Sequence, residues 1–279
     1  MNVYWESVEH GLTIYHGDCL EVMPALGQTF DMAFTDPPYG HNNNDGDMIQ
    51  LWEKIFPGCA PKHSDTTPRP ILNDGPEARE LFEDALRAMY NVLPPGACCC
   101  CCCGGGGGPV PQFAYWSLIL DNIFDFKQMV VWDKGPMGMG WHYRRSYEVV
   151  LVGVVPGAAC RWYDTTRRVE NILRAGTVPK IIPAADQHPT EKPWQLAAHF
   201  IQLHTKDGHV VLDPFLGSGS TLVAAHNTGR RGVGIELDEQ YCEMAALNLE
   251  AAIAQGCLFK PEEVPQATHE LTLFDKDLE

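Results

Sequence analysis

The sequence predicts a mixed α/β fold built on a mostly parallel β-sheet. Short apolar strands alternate with amphipathic helical segments, and several strands run directly into an acidic residue or a glycine turn. Parallel strands need long crossovers, usually helices, so this alternation is typical of a parallel sheet. A chain of 279 residues with 45% hydrophobic residues can also form a substantial core.

The first part of the chain predicts two strands, a long loop and a helix. Residues 12–15 and 30–35 are short β-prone runs that end in turn residues and acids. Residues 41–75 are rich in Asn, Asp, Pro and Gly without periodicity, which predicts a loop insertion. Residues 77–93 carry apolar positions at helical spacing, and the Pro94-Pro95-Gly96 sequence ends that helix.

Six consecutive cysteines, Cys98–Cys103, open the middle of the chain and predict a buried strand. Neighbouring side chains on a strand point to opposite faces, so the six thiols cannot converge on one ion, and no metal site is expected. Residues 113–123 then predict a helix, and strands at 129–132 and 147–152 flank a loop.

The last third of the chain shows the most regular alternation. A helix is expected after Pro193, a strand over 209–212, and a helix over 221–228 beyond a glycine turn. A strand over 232–236 follows, and Asp238 is expected to cap a final helix. These elements continue the parallel α/β pattern.

Charge and hydropathy limit the classes of function. The formal net charge of −16 argues against a general nucleic-acid coat protein. Between Lys134 and Lys180, however, the sequence has eight Lys and Arg residues and three acids, which indicates either a surface that contacts nucleic acid or an ordinary basic patch. No apolar run of about 18 residues and no signal-peptide pattern is present, so a cytoplasmic location without a membrane span is expected.

A glycine turn between a strand and a helix predicts a ligand site. The sequence Leu-Asp-Pro-Phe-Leu-Gly-Ser-Gly-Ser covers residues 212–220. It lacks the lysine of a phosphate loop and the third glycine of the dinucleotide fingerprint, which disfavours phosphate binding. Glu236 lies at the end of the next strand, where an acid can bind both hydroxyls of a ribose. The combination indicates an adenosine-type ligand.

A second motif, Thr-Asp-Pro-Pro-Tyr-Gly at 35–40, follows a predicted strand. Alone it would be consistent with a rigid turn. Together with the glycine turn, it resembles the motifs of the permuted, beta-type group of bacterial and phage DNA amino-methyltransferases, whose order is catalytic motif, target recognition, cofactor motif. The resemblance extends from Ile14 to Leu249.

The resemblance implies a fold and a domain plan. The expected fold is the Rossmann-like fold of S-adenosylmethionine-dependent methyltransferases, with circularly permuted motif order. A single catalytic domain would cover 1–258, with the loop insertion 41–75 and a target-recognition segment at 155–187. The remaining residues, 259–279, are acidic and predict a tail.

The resemblance also implies a cofactor site for S-adenosylmethionine. Glu236 is expected to hold the ribose, Asp18 to accept from the adenine amino group, and Phe215 to lie against the cofactor, although Asp18 could also merely cap a turn. The His188–Pro193 segment is expected near the methionine end. The full set of expected cofactor-binding residues is Asp18, Asp213, Pro214, Phe215, Gly217, Gly219, Ser220, Thr221, Glu236, Thr190 and Lys192.

The catalytic residues implied are Asp36, Pro37, Pro38 and Tyr39. Methylation of an exocyclic amine is difficult because the nitrogen lone pair is delocalised into the ring. Asp36 and the Pro37 carbonyl are expected to accept the two amino hydrogens and so aim the lone pair at the methyl group. The prolines fix this backbone, and Tyr39 offers a face for an extruded base.

In this family an aspartate at position 36 favours N6 of adenine. N4 of cytosine is the alternative, and an inactive nucleic-acid-binding partner of the same fold is a third. The recognition sequence and any companion restriction enzyme are left open.

Double-stranded DNA is the expected partner. The contacts are expected from Tyr143, Arg144, Arg145, Arg167, Arg168 and Arg174. A homodimer is a further expectation from the family. In the tail, Glu270–Phe274 resembles the short peptides that dock to the replication sliding clamp, through Leu271, Leu273 and Phe274.

Overall fold

A computed structural model of the chain describes residues 2–40, 72–75, 77–103, 112–135, 146–174 and 192–255. Its strands are β1 (Asn2–Ser7), β2 (Leu12–His16), β3 (Met32–Thr35), β4 (Cys98–Cys103), β5 (Asp125–Asp133), β6 (Tyr147–Val154), β7 (Ile172–Leu173), β8 (Val210–Asp213) and β9 (Arg231–Glu236). Its helices are α1 (Cys19–Ala25), α2 (Ala78–Val92), α3 (Gln112–Ile123), α4 (Trp194–His204), α5 (Ser220–Asn227) and α6 (Glu239–Gln255).

These strands form one sheet in the order β1-β2-β9-β8-β3-β4-β6-β5-β7. The five strands from β2 to β4 in this order are parallel to one another. β1 joins one side antiparallel, and on the other side β6 is antiparallel to both β4 and β5. The prediction of a mostly parallel α/β sheet is confirmed.

Helices cover both faces of the sheet. On one face, α1, α2 and α3 bury residues such as Met23, Phe82 and Trp116 against the strands. On the other face, α4 and α5 bury Phe200 and Ala224 among others. α6 packs with α5 near β2, where a third cluster forms. Because each strand between these layers is covered twice, its sequence is apolar throughout rather than alternating.

The cysteine strand β4 shows the predicted alternation directly. Cys99, Cys101 and Cys103 belong to the cluster under α2 and α3, whereas Cys98, Cys100 and Cys102 belong to the cluster under α4. All six are buried, and none of the cysteines in the described residues forms a disulfide. The strand therefore uses cysteine as a small apolar residue on both faces.

Three elements differ from the sequence expectation. β1 is an edge strand without a fully buried residue, so it lacks the alternation that would reveal a strand. α1 is only seven residues long and contains Pro24, which is unfavourable inside a helix. β7 consists of two residues that pair with β5. Each of these elements depends on tertiary pairing or packing rather than on a strong local signal.

The base of the predicted 41–75 insertion lies within the described residues. The backbone N–H of Gly40 donates to Asp74 Oδ1 at 2.7 Å, so the two ends of the insertion meet. The residues outside the described part of the chain are 1, 41–71, 76, 104–111, 136–145, 175–191 and 256–279. Within the described part of the chain, no helix has the length and apolar character needed to cross a membrane.

Candidate active site

The predicted functional acids meet at one edge of the sheet. Asp36 follows β3, Asp213 ends β8, Glu236 ends β9 and Asp18 lies just beyond β2. These four strands are parallel and adjacent. Their carboxyl ends therefore line a common crevice, which is where open α/β sheets bind ligands.

The glycine turn between β8 and α5 has a backbone that only glycine adopts easily. Gly217 and Gly219 both have positive φ angles, 52° and 90°. A Cβ on Gly219 would lie 3.0 Å from the Ala245 side chain of α6, whereas a Cβ on Gly217 would meet no atom within 4 Å. Gly219 is thus needed for helix packing, and Gly217 faces open space that a ligand can use.

Glu236 joins the glycine turn to the next strand. Its carboxylate accepts from the backbone N–H of Gly217 at 2.8 Å and of Asp238 at 2.9 Å. Burial raises the pKa of Glu236, although these N–H donors favour the charged form. A carboxylate has more acceptor sites than these two bonds use, so the side chain can also accept ribose hydroxyls.

Asp18 caps helix α1. Its Oδ1 accepts from the backbone N–H of Leu20 at 2.8 Å, and the residue is exposed at the same edge as Glu236. The capping alternative is therefore correct. It does not exclude the cofactor role, because the cap uses one of the two carboxylate oxygens.

Asp213 lies inside the glycine turn. Its carboxylate is buried and accepts from the Thr35 hydroxyl at 2.9 Å and from the backbone N–H of Phe215 at 3.0 Å. Burial raises the pKa of Asp213 to about 7, and a hydrogen bond from Thr221 opposes that rise. Asp213 and Thr221 are therefore buried and shape the turn from inside, and their assignment to the cofactor stays a prediction.

The remaining residues of the turn differ in exposure. Pro214 is buried, whereas Phe215 and Ser220 are half-buried. Phe215 packs against the cluster beneath α1 and α2. Phe215 and Ser220 are accordingly the two side chains of this group that remain accessible to a ligand.

The catalytic segment contains an ion network that the motifs do not reveal. Lys192 Nζ lies 2.7 Å from Asp36 Oδ2 and 3.1 Å from the Tyr39 hydroxyl. The Tyr39 hydroxyl also donates to Asp36 Oδ1. Both oxygens of Asp36 are thus engaged by groups of the protein. Lys192, which is predicted at the cofactor, contacts two of the predicted catalytic residues, and its cofactor role stays a prediction.

Glu148 completes this network, and the sequence did not single it out. Its Oε2 lies 3.2 Å from Lys192 Nζ as an ion pair without hydrogen-bond geometry, and its Oε1 accepts from Lys134 Nζ at 2.6 Å. Although burial opposes it, the two ammonium groups hold the pKa of Glu148 below its usual value. Glu148 reaches this edge because β6 is antiparallel and begins there.

Charges around Lys192 outweigh its burial. Burial alone would lower the pKa of Lys192, but Asp36, Tyr39 and Glu148 together raise it well above its usual value. Lys192 is therefore a permanent cation at the catalytic site at neutral pH. Burial, followed by the negative charge of Asp36, likewise raises the pKa of Tyr39, which keeps its hydroxyl protonated.

The ring of Tyr39 is partly enclosed by protein. Trp116 lies at a centroid distance of 5.7 Å, and the Lys192 ammonium lies 5.3 Å from the ring centroid. Trp116 in turn stacks on Phe82 at 4.0 Å. A base that stacks on Tyr39, as predicted, therefore has to share the ring with the Lys192 ammonium and the Trp116 side chain.

Comparison with known proteins identifies the family. The profile described as "DNA methylase" (N6_N4_Mtase) matches residues 30–247, which is most of the chain and includes both motifs. The chain belongs to this family. It is a DNA methyltransferase that uses S-adenosylmethionine.

Individual relatives agree with this assignment. The chain is 24% identical over 262 residues to the type II methyltransferase M2.DpnII of Streptococcus pneumoniae, covering 86% of this chain and 90% of the relative. It is also 24% identical over 271 residues to the DNA adenine methyltransferase YhdJ of Escherichia coli K12, covering 86% and 83%.

Solved structures show the same fold. The complex of M1.HpyAVI with S-adenosylmethionine superposes with a TM-score of 0.55 at 22% identity, covering 85% of this chain and 98% of that one. The cytosine-N4-specific PvuII DNA methyltransferase has a TM-score of 0.63 at 15% identity, covering 88% and 90%. At this level of identity the likeness concerns the fold alone.

The methyltransferase carries three of its predicted DNA-binding arginines within the described residues. Arg167 and Arg168 are exposed and follow a tight turn in which Asp164 Oδ2 accepts from the Arg167 N–H at 2.8 Å. Arg174 is also exposed and forms an ion pair with Glu170. The other predicted contacts, Tyr143, Arg144 and Arg145, and the cofactor residue Thr190 lie outside the described residues.

Proposed function

We propose that this enzyme methylates the exocyclic N6 of adenine in double-stranded DNA. The observation that carries the proposal is the position of Asp36: it follows β3 directly, beside the glycine turn of β8 in the adjacent strand. An aspartate here, rather than the serine that accompanies cytosine in related motifs, favours adenine. The Asp-Pro-Pro-Tyr segment thus presents its acceptors next to the place where the cofactor binds.

The chemistry rests on orientation. Asp36 accepts one hydrogen of the target amine and the Pro37 carbonyl accepts the other, which localises the nitrogen lone pair and directs it at the methyl group. S-adenosylmethionine supplies that methyl group from a sulfonium centre. Pro37 and Pro38 keep the backbone fixed and have no N–H that could compete for Asp36.

Lys192 has to yield before the amine can bind. Its ammonium contacts Asp36 and the Tyr39 ring, the two groups proposed for the target base. Glu148 offers the ammonium a second carboxylate at 3.2 Å. In this proposal Lys192 holds the site together before the base enters and then shifts toward Glu148, so the cation never loses a partner.

Cofactor binding is proposed on the other half of the edge. Glu236 holds the ribose hydroxyls, Asp18 accepts from the adenine amino group of the cofactor, and Phe215 lies against the cofactor. Gly217 supports this assignment, because its open side leaves room for close approach of a ligand to the backbone.

The target base is decided by nucleoside analysis. Duplex DNA is incubated with the enzyme and methyl-labelled S-adenosylmethionine, digested, and the nucleosides are separated by chromatography and mass spectrometry. Label in N6-methyl-2′-deoxyadenosine is expected. Label in N4-methyl-2′-deoxycytidine would replace the adenine assignment, and no label despite cofactor binding would favour the inactive-partner alternative.

DNA binding is proposed to use Arg167 and Arg168, which are exposed beside the catalytic sheet. Replacing both with Ala removes about two phosphate contacts, so the slope of log affinity against log salt should flatten by about 2. Arg87→Ala on helix α2, which removes an equally exposed arginine, is the control. Equal salt slopes for all three proteins would contradict the assignment.

Two associations outside the described residues remain proposals. Glu270–Phe274 is proposed to dock to the sliding clamp, and a tail peptide with Leu273 and Phe274 changed to Ala should lose binding to clamp protein in titration. A homodimer is testable by light scattering of the full chain. The relatives above come from bacteria, which supports a bacterial or phage-encoded, cytoplasmic enzyme.

A further inference from the structure

A second cluster of reactive side chains lies on β4, toward the end opposite the catalytic edge. The sulfurs of Cys98 and Cys100 are 3.9 Å apart, and a ring nitrogen of His204 lies within 4.8 Å of both. Cys160 Sγ lies beside this group, 3.9 Å from His204 Nδ1. Two buried thiols and one imidazole thus converge, with a third thiol next to the imidazole.

The spacing of these atoms matches a tetrahedral metal site. Zinc binds cysteine sulfur at about 2.3 Å and histidine nitrogen at about 2.0–2.1 Å, so ligand atoms around one ion lie roughly 3.5–3.8 Å apart. The 3.9 Å between the sulfurs of Cys98 and Cys100 therefore needs only a small side-chain adjustment. Cys160, which lies on the Nδ1 side of the His204 ring, has to turn its sulfur toward an ion held at Nε2. Thiolate-rich ligand sets with one imidazole select zinc over hard cations such as magnesium.

His204 is oriented as a ligand. Its Nδ1 lies 2.9 Å from the backbone carbonyl of Arg161, and a carbonyl only accepts, so Nδ1 carries the hydrogen. The lone pair is then on Nε2. Metal-binding histidines are commonly held in this way, with the other ring nitrogen donating to a carbonyl.

The position of the cluster also suits a closed structural site. Cys98, Cys100 and His204 are buried, whereas Cys160 is half-exposed and gives a path for an ion. Consecutive cysteines on a strand cannot share an ion, but Cys98 and Cys100 are two positions apart and lie on the same face. The argument against a metal from the cysteine run therefore does not apply to this pair.

We propose that Cys98, Cys100, Cys160 and His204 form a structural zinc site. With four protein ligands the ion has no open position, so its role is to hold β4, α4 and the segment after β6 together. Each thiol releases its proton to solvent as its sulfur binds, and the imidazole binds in its neutral form. The segment that carries Arg167 and Arg168 begins at Cys160, so zinc anchors the proposed DNA-binding surface to the sheet.

The test uses the full chain, reduced, stripped with a chelator and dialysed against zinc or cobalt. About one zinc ion per chain is expected by elemental analysis. The cobalt form should show thiolate-to-metal charge transfer in the near ultraviolet and the intense visible bands of a tetrahedral ion. Cobalt spectra without thiolate bands would overturn the proposal.

Variants locate the site. Cys160→Ser should lower zinc affinity by at least about 100-fold, since loss of an outer partner alone costs 10–100-fold. Cys99→Ala is the matched control, because Cys99 is buried between Cys98 and Cys100 but faces the other cluster. Cofactor binding by calorimetry reports that each variant is folded. Wild-type affinity and cobalt spectrum in Cys160→Ser would place the ion elsewhere and overturn the proposal.

Discussion

The two halves of the active edge are built in different ways. In the cofactor half, Glu236 is held by the backbone N–H groups of Gly217 and Asp238, which are near it in sequence. In the catalytic half, Asp36 is held by Lys192, 156 positions away, and Lys192 contacts Glu148 on a third element. A site built from backbone donors is fixed by a local motif, whereas one built from charged side chains depends on the topology of the whole sheet.

In the catalytic half, substitution of Asp36 should cause the largest loss of methyl-transfer rate. Asp36→Ala removes the acceptor that orients the amine, and loss of one such preorganised contact costs on the order of 100-fold to 1,000-fold in rate. Binding of S-adenosylmethionine should be nearly unchanged, because Asp18, Gly217 and Glu236 remain. Single-turnover transfer of labelled methyl to duplex DNA, with calorimetry of the cofactor, separates the two effects. Near wild-type transfer would refute the catalytic assignment.

A substitution in the cofactor half should lower cofactor affinity and leave the rate of methyl transfer almost unchanged. Glu236→Gln removes the charge from a carboxylate proposed to bind ribose, and hydrogen bonds to charged groups contribute about 1.5–3 kcal/mol, so affinity for S-adenosylmethionine should fall by roughly 10- to 100-fold. The rate at saturating cofactor should change little. Glu239→Gln, at the exposed first residue of α6, is the control and should bind the cofactor normally.

Asp213 links the halves and should make stability depend on pH. Its pKa is about 7 in the folded protein and lower in the unfolded chain, so the stability that protonated Asp213 contributes is full below the unfolded-state pKa and is lost as pH rises through about 7. Asp213→Asn keeps an acceptor for Thr35 and Phe215. Denaturant titrations at about pH 5 and pH 8 should show the Asn variant gaining about 2 kcal/mol on wild type. The exposed Asp121→Asn should show no such change.

Glu148 tests the idea that Lys192 moves between two carboxylates. Glu148→Gln leaves the ammonium with Asp36 alone, which should slow methyl transfer by about 10-fold, the equivalent of roughly one weakened charged hydrogen bond. Cofactor affinity should be unaffected. If the variant instead transfers methyl at the wild-type rate, Glu148 is only a structural partner of Lys134.

The smallest expected effect is the difference in stability between alanine substitutions at the two glycines of the turn. Gly219→Ala combines a positive φ with a 3.0 Å approach to Ala245, so it should lower the free energy of unfolding by more than Gly217→Ala. Gly217→Ala should cost about 1–2 kcal/mol through its φ alone. The Gly217→Ala variant should lose more free energy of S-adenosylmethionine binding than free energy of unfolding, because the added methyl group enters the open side of the turn. Thermal unfolding with and without cofactor measures both.

Sequence reasoning was most successful where the signal was local. The Asp-Pro-Pro-Tyr and glycine motifs, the alternation of strands and helices, and the two-faced burial of β4 all follow from short patterns. Glu148 was missed because nothing near it forms a motif; it functions through the antiparallel direction of β6. The motif predicts the position of Asp213, but not the burial of its carboxylate against Thr35, which is 178 positions away in sequence.

The bond between Gly40 and Asp74 has an evolutionary consequence. It joins the two ends of the inserted segment immediately after Tyr39. The positions of the strands therefore do not depend on how many residues lie between these ends. Closing a loop of twice the length costs only about 0.6 kcal/mol more. Evolution can therefore exchange insertions of very different length and DNA-sequence preference at this junction while the methyl-transfer site stays unchanged.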